Sequence, residues 1–192
     1  MIRIIAGRAK GRKLSAPDGL ETRPTGARVR QTLFDILAPR LAGARFLDLC
    51  AGAGAVGFEA LSRGASRVVL VDSNAAAILA LKTNAQTLAG AGGEVEVLRQ
   101  DARRAVASLA DEGRRFDVVF IDPPYEGKLY EEVLEDLGKS SLLSDEGLVV
   151  AQHFKKRTLP ETIAGLARTR AVRVGDHDLT FYGRAAASRP EA

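Results

Sequence analysis

The stretch Phe46-Leu47-Asp48-Leu49-Cys50-Ala51-Gly52-Ala53-Gly54-Ala55-Val56-Gly57 decides the fold. An apolar run leads into an acidic residue, then a glycine-rich turn, and then the start of a helix. Glycine allows a tight turn and lets the backbone approach a ligand closely. The three glycines also match the G-x-G-x-x-G spacing of dinucleotide-binding turns. The stretch therefore predicts a strand, a ligand-binding turn and a helix, in that order.

The rest of the chain repeats this alternation of strands and helices. Strands are predicted near residues 45–49, 67–71, 94–99, 116–121 and 147–152, and helices near 55–63, 74–89, 102–110 and 127–138. Continuously apolar runs such as 68–71 indicate a sheet that helices cover on both faces. Two more strands, near 172–174 and 179–182, are predicted to close the sheet as an antiparallel pair. We predict an α/β, Rossmann-like fold with a mostly parallel, doubly wound sheet.

Aspartates stand at the ends of four predicted strands, at positions 48, 72, 101 and 122. The carboxyl ends of parallel strands share one edge, where ligands bind in such folds, so these side chains should line one rim. Asp48 would attract an ammonium group and repel a pyrophosphate. S-adenosylmethionine has such an ammonium group, and its ribose diol suits Asp72. The glycine spacing alone does not separate this cofactor from a nicotinamide dinucleotide, and a carboxylate that caps the next helix is the alternative for Asp48.

The segment Asp122-Pro123-Pro124-Tyr125 directly follows the apolar run 118–121. Two prolines fix their φ angles and donate no backbone hydrogen bonds, so the strand is predicted to end in a stiff turn. A carboxylate, backbone carbonyls and an aromatic ring in one place suit a planar base that is held by its exocyclic amino group. A plain turn after a buried strand is the alternative interpretation.

Positive charge is concentrated at the N-terminus. Residues 1–40 carry nine Lys and Arg and three acidic residues, a net charge of +6, whereas the remainder carries 19 basic and 21 acidic residues, a net charge of −2. Residues 2–5 and 12–16 are predicted to pair as a basic hairpin. A helix is predicted from a Thr25 cap to about Leu37, ended by Pro39 and Gly43. Such a basic block is typical of a protein that binds a polyanion, although an ordinary solvent-exposed surface would also explain it.

The composition of the chain indicates the cellular compartment and argues against some kinds of partner. One cysteine, Cys50, excludes an intramolecular disulfide and fits a reducing cytoplasm. No apolar run approaches the roughly 20 residues that cross a bilayer, and early basic residues interrupt any signal-peptide core. The presence of two histidines, His153 and His177, argues against a metal cluster. We expect a cytoplasmic monomer with neither a metal nor a membrane partner.

Together, these motifs resemble the class I S-adenosylmethionine-dependent methyltransferases that act on exocyclic amino groups. More narrowly, the sequence resembles the bacterial RsmD family, the 16S rRNA guanine-N(2) methyltransferases. The resemblance is carried by the glycine loop, Asp72, the triplet 100–102, Asp122–Tyr125, the opening residues 3–12, the helix signature 23–37 and the closing residues 179–182. It extends over about residues 2–184. It implies 16S rRNA, or the assembling small ribosomal subunit, as the partner.

The resemblance also implies a role for each matching residue. Cofactor binding is expected of Thr25, Asp48, Gly52, Gly54, Asp72, Ser73, Asn74, Asp101 and Ala102. Catalysis is expected of Asp122, Pro123, Pro124 and Tyr125. RNA binding is expected of Arg3, Arg8, Lys10, Arg12, Lys13, Arg23 and Arg28. The expected organisation is an RNA-binding extension at 1–40, a methyltransferase domain at 41–184 and a flexible tail at 185–192.

Other functions remain open on the sequence alone. A DNA adenine-N(6) or protein glutamine methyltransferase would use a related Pro-Pro-Tyr turn, and the basic N-terminus favours the nucleic acid. A nicotinamide oxidoreductase would leave Asp48 and the segment 122–125 unexplained. An RNA-binding module without catalysis would leave the acidic rim unexplained.

Overall fold

The computed structural model describes residues 2–16, 26–123 and 127–185. The strands are β1 (Ile2–Arg3), β2 (Lys13–Leu14), β3 (Arg45–Asp48), β4 (Arg67–Asp72), β5 (Glu94–Arg99), β6 (Phe116–Ile121), β7 (Leu143–Phe154), β8 (Thr162–Ile163), β9 (Leu166–Val174) and β10 (His177–Arg184). The helices are α1 (Ala27–Leu41), α2 (Ala55–Ser62), α3 (Ala75–Thr87), α4 (Ala102–Asp111) and α5 (Leu129–Lys139).

One large sheet organises these elements, with strand order β5-β4-β3-β6-β7-β10-β9-β8. Strands β3 to β7 pair in parallel. Strand β10 runs antiparallel to both β7 and β9. The predicted mostly parallel sheet with an antiparallel C-terminal pair is therefore confirmed. The strand order changes direction between β3 and β6, and ligands of such folds bind beyond the carboxyl ends of the strands at that point.

Helices cover both faces of the sheet, as the apolar strand runs predicted. Side chains of successive strand residues point to opposite faces, so Phe46 and Leu47 of β3 enter different cores. Phe58 of α2 packs in the first core, together with residues of α1 and α3. Val106 of α4 packs in the second, together with residues of α5. Among the described residues, none of the helices has both the length and the apolar character that a bilayer span needs.

Helix α1 differs from its prediction at both ends. Its N-cap residue is Gly26, so the prediction that Thr25 caps the helix was wrong, and Thr25 itself lies outside the described residues. The helix also continues through Pro39 to Leu41. Proline removes the hydrogen bond to the carbonyl four residues earlier. That carbonyl belongs to exposed Asp35, where water can replace the lost donor, and the buried Leu41 side chain holds the last turn in the core.

The C-terminal strands are longer than predicted, and the strands of the hairpin are shorter. Strand β7 begins at residue 143 instead of 147, and β9 begins at 166 instead of 172. Asp145 and Glu146 interrupt the apolar run of β7, and exposed arginines interrupt that of β9. Pairing with neighbouring strands extends them, and this tertiary contribution is invisible in a local pattern. Strand β8 was not predicted.

The N-terminal hairpin is fixed to α2 by buried polar contacts. Glu59, which is fully buried, accepts hydrogen bonds from the backbone N–H groups of Ile5 at 2.7 Å and Ala6 at 2.9 Å. The Ser62 hydroxyl accepts a bond from the Ala9 N–H at 2.9 Å. These bonds hold the hairpin against the helix that follows the glycine loop.

Candidate active site

Four aspartates converge at the carboxyl edge of the sheet, as the sequence predicted. Asp48 and Asp72 end β3 and β4, Asp122 follows β6, and Asp101 follows β5. Burial raises the pKa of the Cys50 thiol, and the charges of these four carboxylates raise it further. Cys50 stands at the start of the glycine loop, so all four carboxylates lie near that end of the loop. Within the described ranges, no group of three or more His, Cys, Asp or Glu residues is placed to share a metal ion.

Asp48 is a buried carboxylate at the carboxyl end of β3. The side chain is 1% exposed. Its Oδ2 accepts a hydrogen bond from the Gly57 N–H in the first turn of α2, at 3.2 Å, so the capping interpretation describes part of its role. Its Oδ1 is buried and has no hydrogen-bond partner in the described part of the chain. Burial is the main reason that the pKa of Asp48 rises to about 7; the backbone N–H groups of Gly57 and Cys50 lower it, and the charges of Asp122 and Asp72 raise it. A buried acceptor without a donor suits a cationic ligand group.

The glycine loop is shaped by backbone geometry and by Asp72. Gly54, the N-cap residue of α2, has a φ of 79°, in the left-handed region that glycine favours. Asp72 accepts hydrogen bonds from the N–H groups of Gly52 at 2.9 Å and Asn74 at 2.8 Å. A Cβ built on Gly52 would meet nothing within 4 Å, so space is open beside the turn. Asp72 thus holds the loop and retains lone pairs for further donors.

Four other expected cofactor residues lie where helices begin, and Thr25 lies outside the described residues. Asn74 is the N-cap residue of α3, and its side chain accepts hydrogen bonds from the N–H groups of residues 76 and 77. Asp101 is the N-cap residue of α4, and its Oδ1 accepts hydrogen bonds from residues 103 and 104. Ala102 is the buried first residue of α4, and Ser73 directly precedes Asn74. Asn and Asp are preferred at the N-cap position because their side chains accept hydrogen bonds from backbone N–H groups that have no partner within the helix.

Asp122 is held by a residue that the motif did not reveal. Its Oδ2 accepts a hydrogen bond of 2.9 Å from Nε2 of Gln152, which is 1% exposed. The hydroxyl of buried Tyr130 donates to the Gln152 carbonyl at 2.6 Å and lies 3.3 Å from the Pro123 carbonyl. The two remaining expected catalytic residues, Pro124 and Tyr125, lie outside the described residues. The one sequence signal for Gln152 was a polar residue at the end of an apolar run.

Six of the seven expected RNA-binding residues are described by the structure, and they lie on the surface. The side chains of Arg3, Arg8, Lys10, Arg12, Lys13 and Arg28 are all exposed, and Arg23 lies outside the described residues. One of them also braces the hairpin, because the Arg12 guanidinium donates to the carbonyl of Thr87 on α3 at 2.6 Å. The hairpin therefore presents its positive charges from a fixed position.

Arg30 is a buried contrast to these exposed cations. It is 3% exposed, and its Nη2 donates to the Arg3 carbonyl at 3.0 Å. Its Nε and Nη1 have no hydrogen-bond partner among the described residues. Burial lowers the pKa of Arg30, and the nearby Glu59 carboxylate raises it. Arg30 thus links α1 to the hairpin from within the protein.

The sheet order and the loop at its switch point are those of the class I methyltransferases, and comparison with solved structures agrees. The structure of yhhF from Escherichia coli, a candidate methyltransferase, matches with a TM-score of 0.83 and 38% sequence identity. The match covers 97% of this chain and 99% of that chain. The fold is therefore the class I methyltransferase fold.

Comparison of sequences identifies the family. A family model described as conserved hypothetical protein 95 matches residues 2–183. Ribosomal RNA small subunit methyltransferase D of Escherichia coli K12 is 37% identical over 191 residues, which cover 100% of this chain and 94% of that protein. YlbH of Bacillus subtilis 168, a candidate rRNA methyltransferase, is 37% identical over 181 residues, which cover 94% and 98%. The chain belongs to the RsmD family of methyltransferases.

Proposed function

We propose that this protein transfers the methyl group of S-adenosylmethionine to the exocyclic amino nitrogen N2 of a guanine in 16S ribosomal RNA. The observation that carries the proposal is the placement of Asp122. Its carboxylate is held by Gln152 beyond the end of β6 and lies close enough to Asp48 to raise the pKa of that buried acid. The names of the relatives, small subunit rRNA methyltransferases, support the substrate class.

The residues around the glycine loop fit this cofactor. Asp48 offers a buried acceptor without a partner among the described residues, which suits the ammonium of the methionine part. Asp72 would accept from the ribose hydroxyls, and the second carboxylate oxygen of Asp101 would accept from the adenine amino group. An acidic rim would repel the pyrophosphate of a nicotinamide dinucleotide. When bound, S-adenosylmethionine supplies an electrophilic methyl group on sulfur.

Asp122 and Pro123 would prepare the attacking nitrogen. The lone pair of a guanine amino group is delocalised into the ring, so the group is a poor nucleophile. The Asp122 carboxylate and the Pro123 carbonyl would accept its two N–H bonds and orient the lone pair towards the methyl group. The Asp122 charge would also stabilise the positive charge that develops on nitrogen, and the carboxylate would take the released proton. The Tyr130 hydroxyl makes its shorter bond to Gln152, at 2.6 Å, so the Pro123 carbonyl keeps capacity to accept.

The basic extension would bind the RNA backbone. A guanine inside a helix must be unpaired or flipped out before its amino group reaches Asp122, at a cost of a few kcal/mol. Phosphate contacts from the exposed hairpin side chains, such as Lys10 and Lys13, would offset that cost. The bonds from Glu59 and Ser62 fix the hairpin to α2, and therefore fix these charges relative to the site.

The experiment is a methyl-transfer assay with tritiated S-adenosylmethionine and small ribosomal subunits from a strain that lacks its own copy of the enzyme. We expect the wild-type protein to label the 16S rRNA and Asp122→Ala to transfer no label, while calorimetry shows that this variant still binds the cofactor. Asp145→Ala is the matched control, because Asp145 is an exposed aspartate, with 92% of its side chain accessible, outside the rim.

Each alternative outcome identifies the part of the proposal that is wrong. Label in DNA or protein instead of rRNA would contradict the substrate class and leave methyl transfer standing. Cofactor binding with no label in any acceptor would contradict the enzymatic function. Equal loss of cofactor binding and transfer in Asp122→Ala would contradict the role of this carboxylate.

A further inference from the structure

We infer that Gln152 is a positioning residue for methyl transfer, which holds the Asp122 carboxylate in the orientation that the substrate amino group requires. The inference rests on the proposed function of the Asp122 site. Strands β6 and β7 are parallel neighbours with Ile121 opposite Ala151. Asp122 directly follows Ile121, the last residue of β6, and Gln152 follows Ala151 within β7. The two residues therefore lie side by side, with Gln152 Nε2 2.9 Å from Asp122 Oδ2.

The chemistry of the pair fixes which end of the amide faces Asp122. An ionised carboxylate only accepts hydrogen bonds, so the amide NH2 of Gln152 must point towards it. The Oε1 of Gln152 is buried and has no hydrogen-bond partner among the described residues. A buried acceptor without a donor disfavours the folded state. An apolar side chain of similar size would avoid that penalty, so packing alone does not explain a glutamine here.

The backbone of Gln152 is held as firmly as its side chain. Strand β7 continues beyond it to Phe154. The Tyr130 hydroxyl, on α5, donates to the Gln152 carbonyl at 2.6 Å. The Arg157 guanidinium lies 4.7 Å from the centre of the Tyr130 ring. Asp122, by contrast, lies one residue beyond the end of β6. Gln152 thus connects this carboxylate to the interior of a neighbouring strand.

The first test replaces the amide with an apolar group of similar size. Gln152→Leu should lower kcat for methylation of small subunits by up to about 100-fold, since a displaced catalytic group costs this much. Cofactor affinity by calorimetry and KM for subunits should stay unchanged. Thr180→Val is the matched control, because Thr180 is buried on neighbouring β10 and its hydroxyl bonds His153 Nε2 at 2.8 Å. That variant loses a buried hydrogen bond outside the pair, so its kcat should stay at the wild-type value.

The second test separates hydrogen-bond donation from packing. In Gln152→Glu, the new side chain donates to Asp122 only while it holds a proton. Burial and the adjacent carboxylate favour that protonated form, so we expect activity near the wild-type value at about pH 6 and a progressive loss towards about pH 9. Gln152→Leu should be impaired at every pH. Thermal melting of each variant checks that the protein is folded.

The outcomes separate this inference from the proposed function. Wild-type kcat in Gln152→Leu, or identical pH profiles for Gln152→Glu and Gln152→Leu, would overturn the positioning role while methyl transfer stands. A wild-type protein that binds cofactor and methylates no acceptor would overturn both.

Discussion

Replacing Asp48 by asparagine should make the cofactor-free protein more stable at neutral and alkaline pH, and should abolish binding of S-adenosylmethionine. The reason is that the protein keeps a buried carboxylate whose Oδ1 has no partner among the described residues. The asparagine side chain would keep an oxygen for the Gly57 N–H bond, which spans 3.2 Å in the wild-type protein. It would carry no charge, so it would lose the cost of burying one and also the attraction for an ammonium group.

The size of the stability effect follows from the pKa. Burial raises the pKa of Asp48 from 3.8 to about 7 in the folded protein. The folded state therefore binds this proton more tightly than the unfolded state, so stability falls as pH rises from about 4 to about 7. At about 1.4 kcal/mol for each pKa unit, the ionised carboxylate costs about 4 kcal/mol above pH 7.

Urea unfolding of the wild-type protein and of Asp48→Asn over a pH series measures this effect. The advantage of the variant in free energy of unfolding should grow by about 3 kcal/mol between about pH 5 and pH 8. Burial lowers the pKa of His153, and this group makes stability rise with pH. His153 is present in both proteins, so its contribution cancels in the difference. A difference in free energy of unfolding that does not change with pH would show that Asp48 is not a buried acid with a raised pKa.

Cofactor affinity supplies an independent check on the same group. An ammonium ligand favours the ionised form of Asp48, so binding must release the proton that the free protein holds below pH 7. The Kd of the wild-type protein should therefore rise about tenfold for each pH unit below 7. Calorimetry in two buffers of different ionisation enthalpy would count the released proton. Equal Kd values at about pH 5.5 and pH 7 would contradict this role.

Three further predictions concern the basic extension. Lys10→Ala with Lys13→Ala should reduce the slope of log affinity for RNA against log salt by about 1.4, with cofactor affinity unchanged; an unchanged slope would mean that these lysines do not contact phosphates. Gly7→Ala should speed amide exchange throughout the hairpin, because its Cβ would lie 1.9 Å from the Ser62 carbonyl oxygen; wild-type exchange rates would contradict this. Glu59→Gln should lower stability by about 1–3 kcal/mol, because its amide NH2 would face a backbone donor; an unchanged urea midpoint would show that the contact is dispensable.

The parts of the fold and of the site that depend on residues close together in the sequence could be predicted from it. The strand, turn and helix around Asp48 are contiguous, so their pattern indicated both the element and the ligand edge. The parallel topology then placed Asp72 and Asp122 on the same rim, although they are far apart in the chain. The prediction that Pro39 ends α1 was wrong for a local reason. Proline usually ends a helix, but here it lies in the last turn, where the carbonyl that loses its hydrogen-bond donor can bind water instead.

Contacts between distant residues could not be predicted in the same way. Gln152 lies 30 positions from Asp122 and carries no motif, and the pairing register of β6 with β7 creates their contact. Glu59 lies 54 positions from Ile5, and its place in the sequence is that of an ordinary helix residue; the docking of the hairpin creates the contact. Asn74 was expected to bind the cofactor, and the structure shows that it also caps helix α3.

The identity of the labelled nucleoside tests most directly whether the site methylates the exocyclic amine of guanine. 16S rRNA from the tritium assay would be digested to nucleosides and separated against authentic standards. We expect the label to elute with N(2)-methylguanosine. The label should disappear with Asp122→Ala and remain with Asp145→Ala. Label in N(6)-methyladenosine, or in a guanosine methylated on the ring, would contradict the assignment of the exocyclic guanine amine to this site.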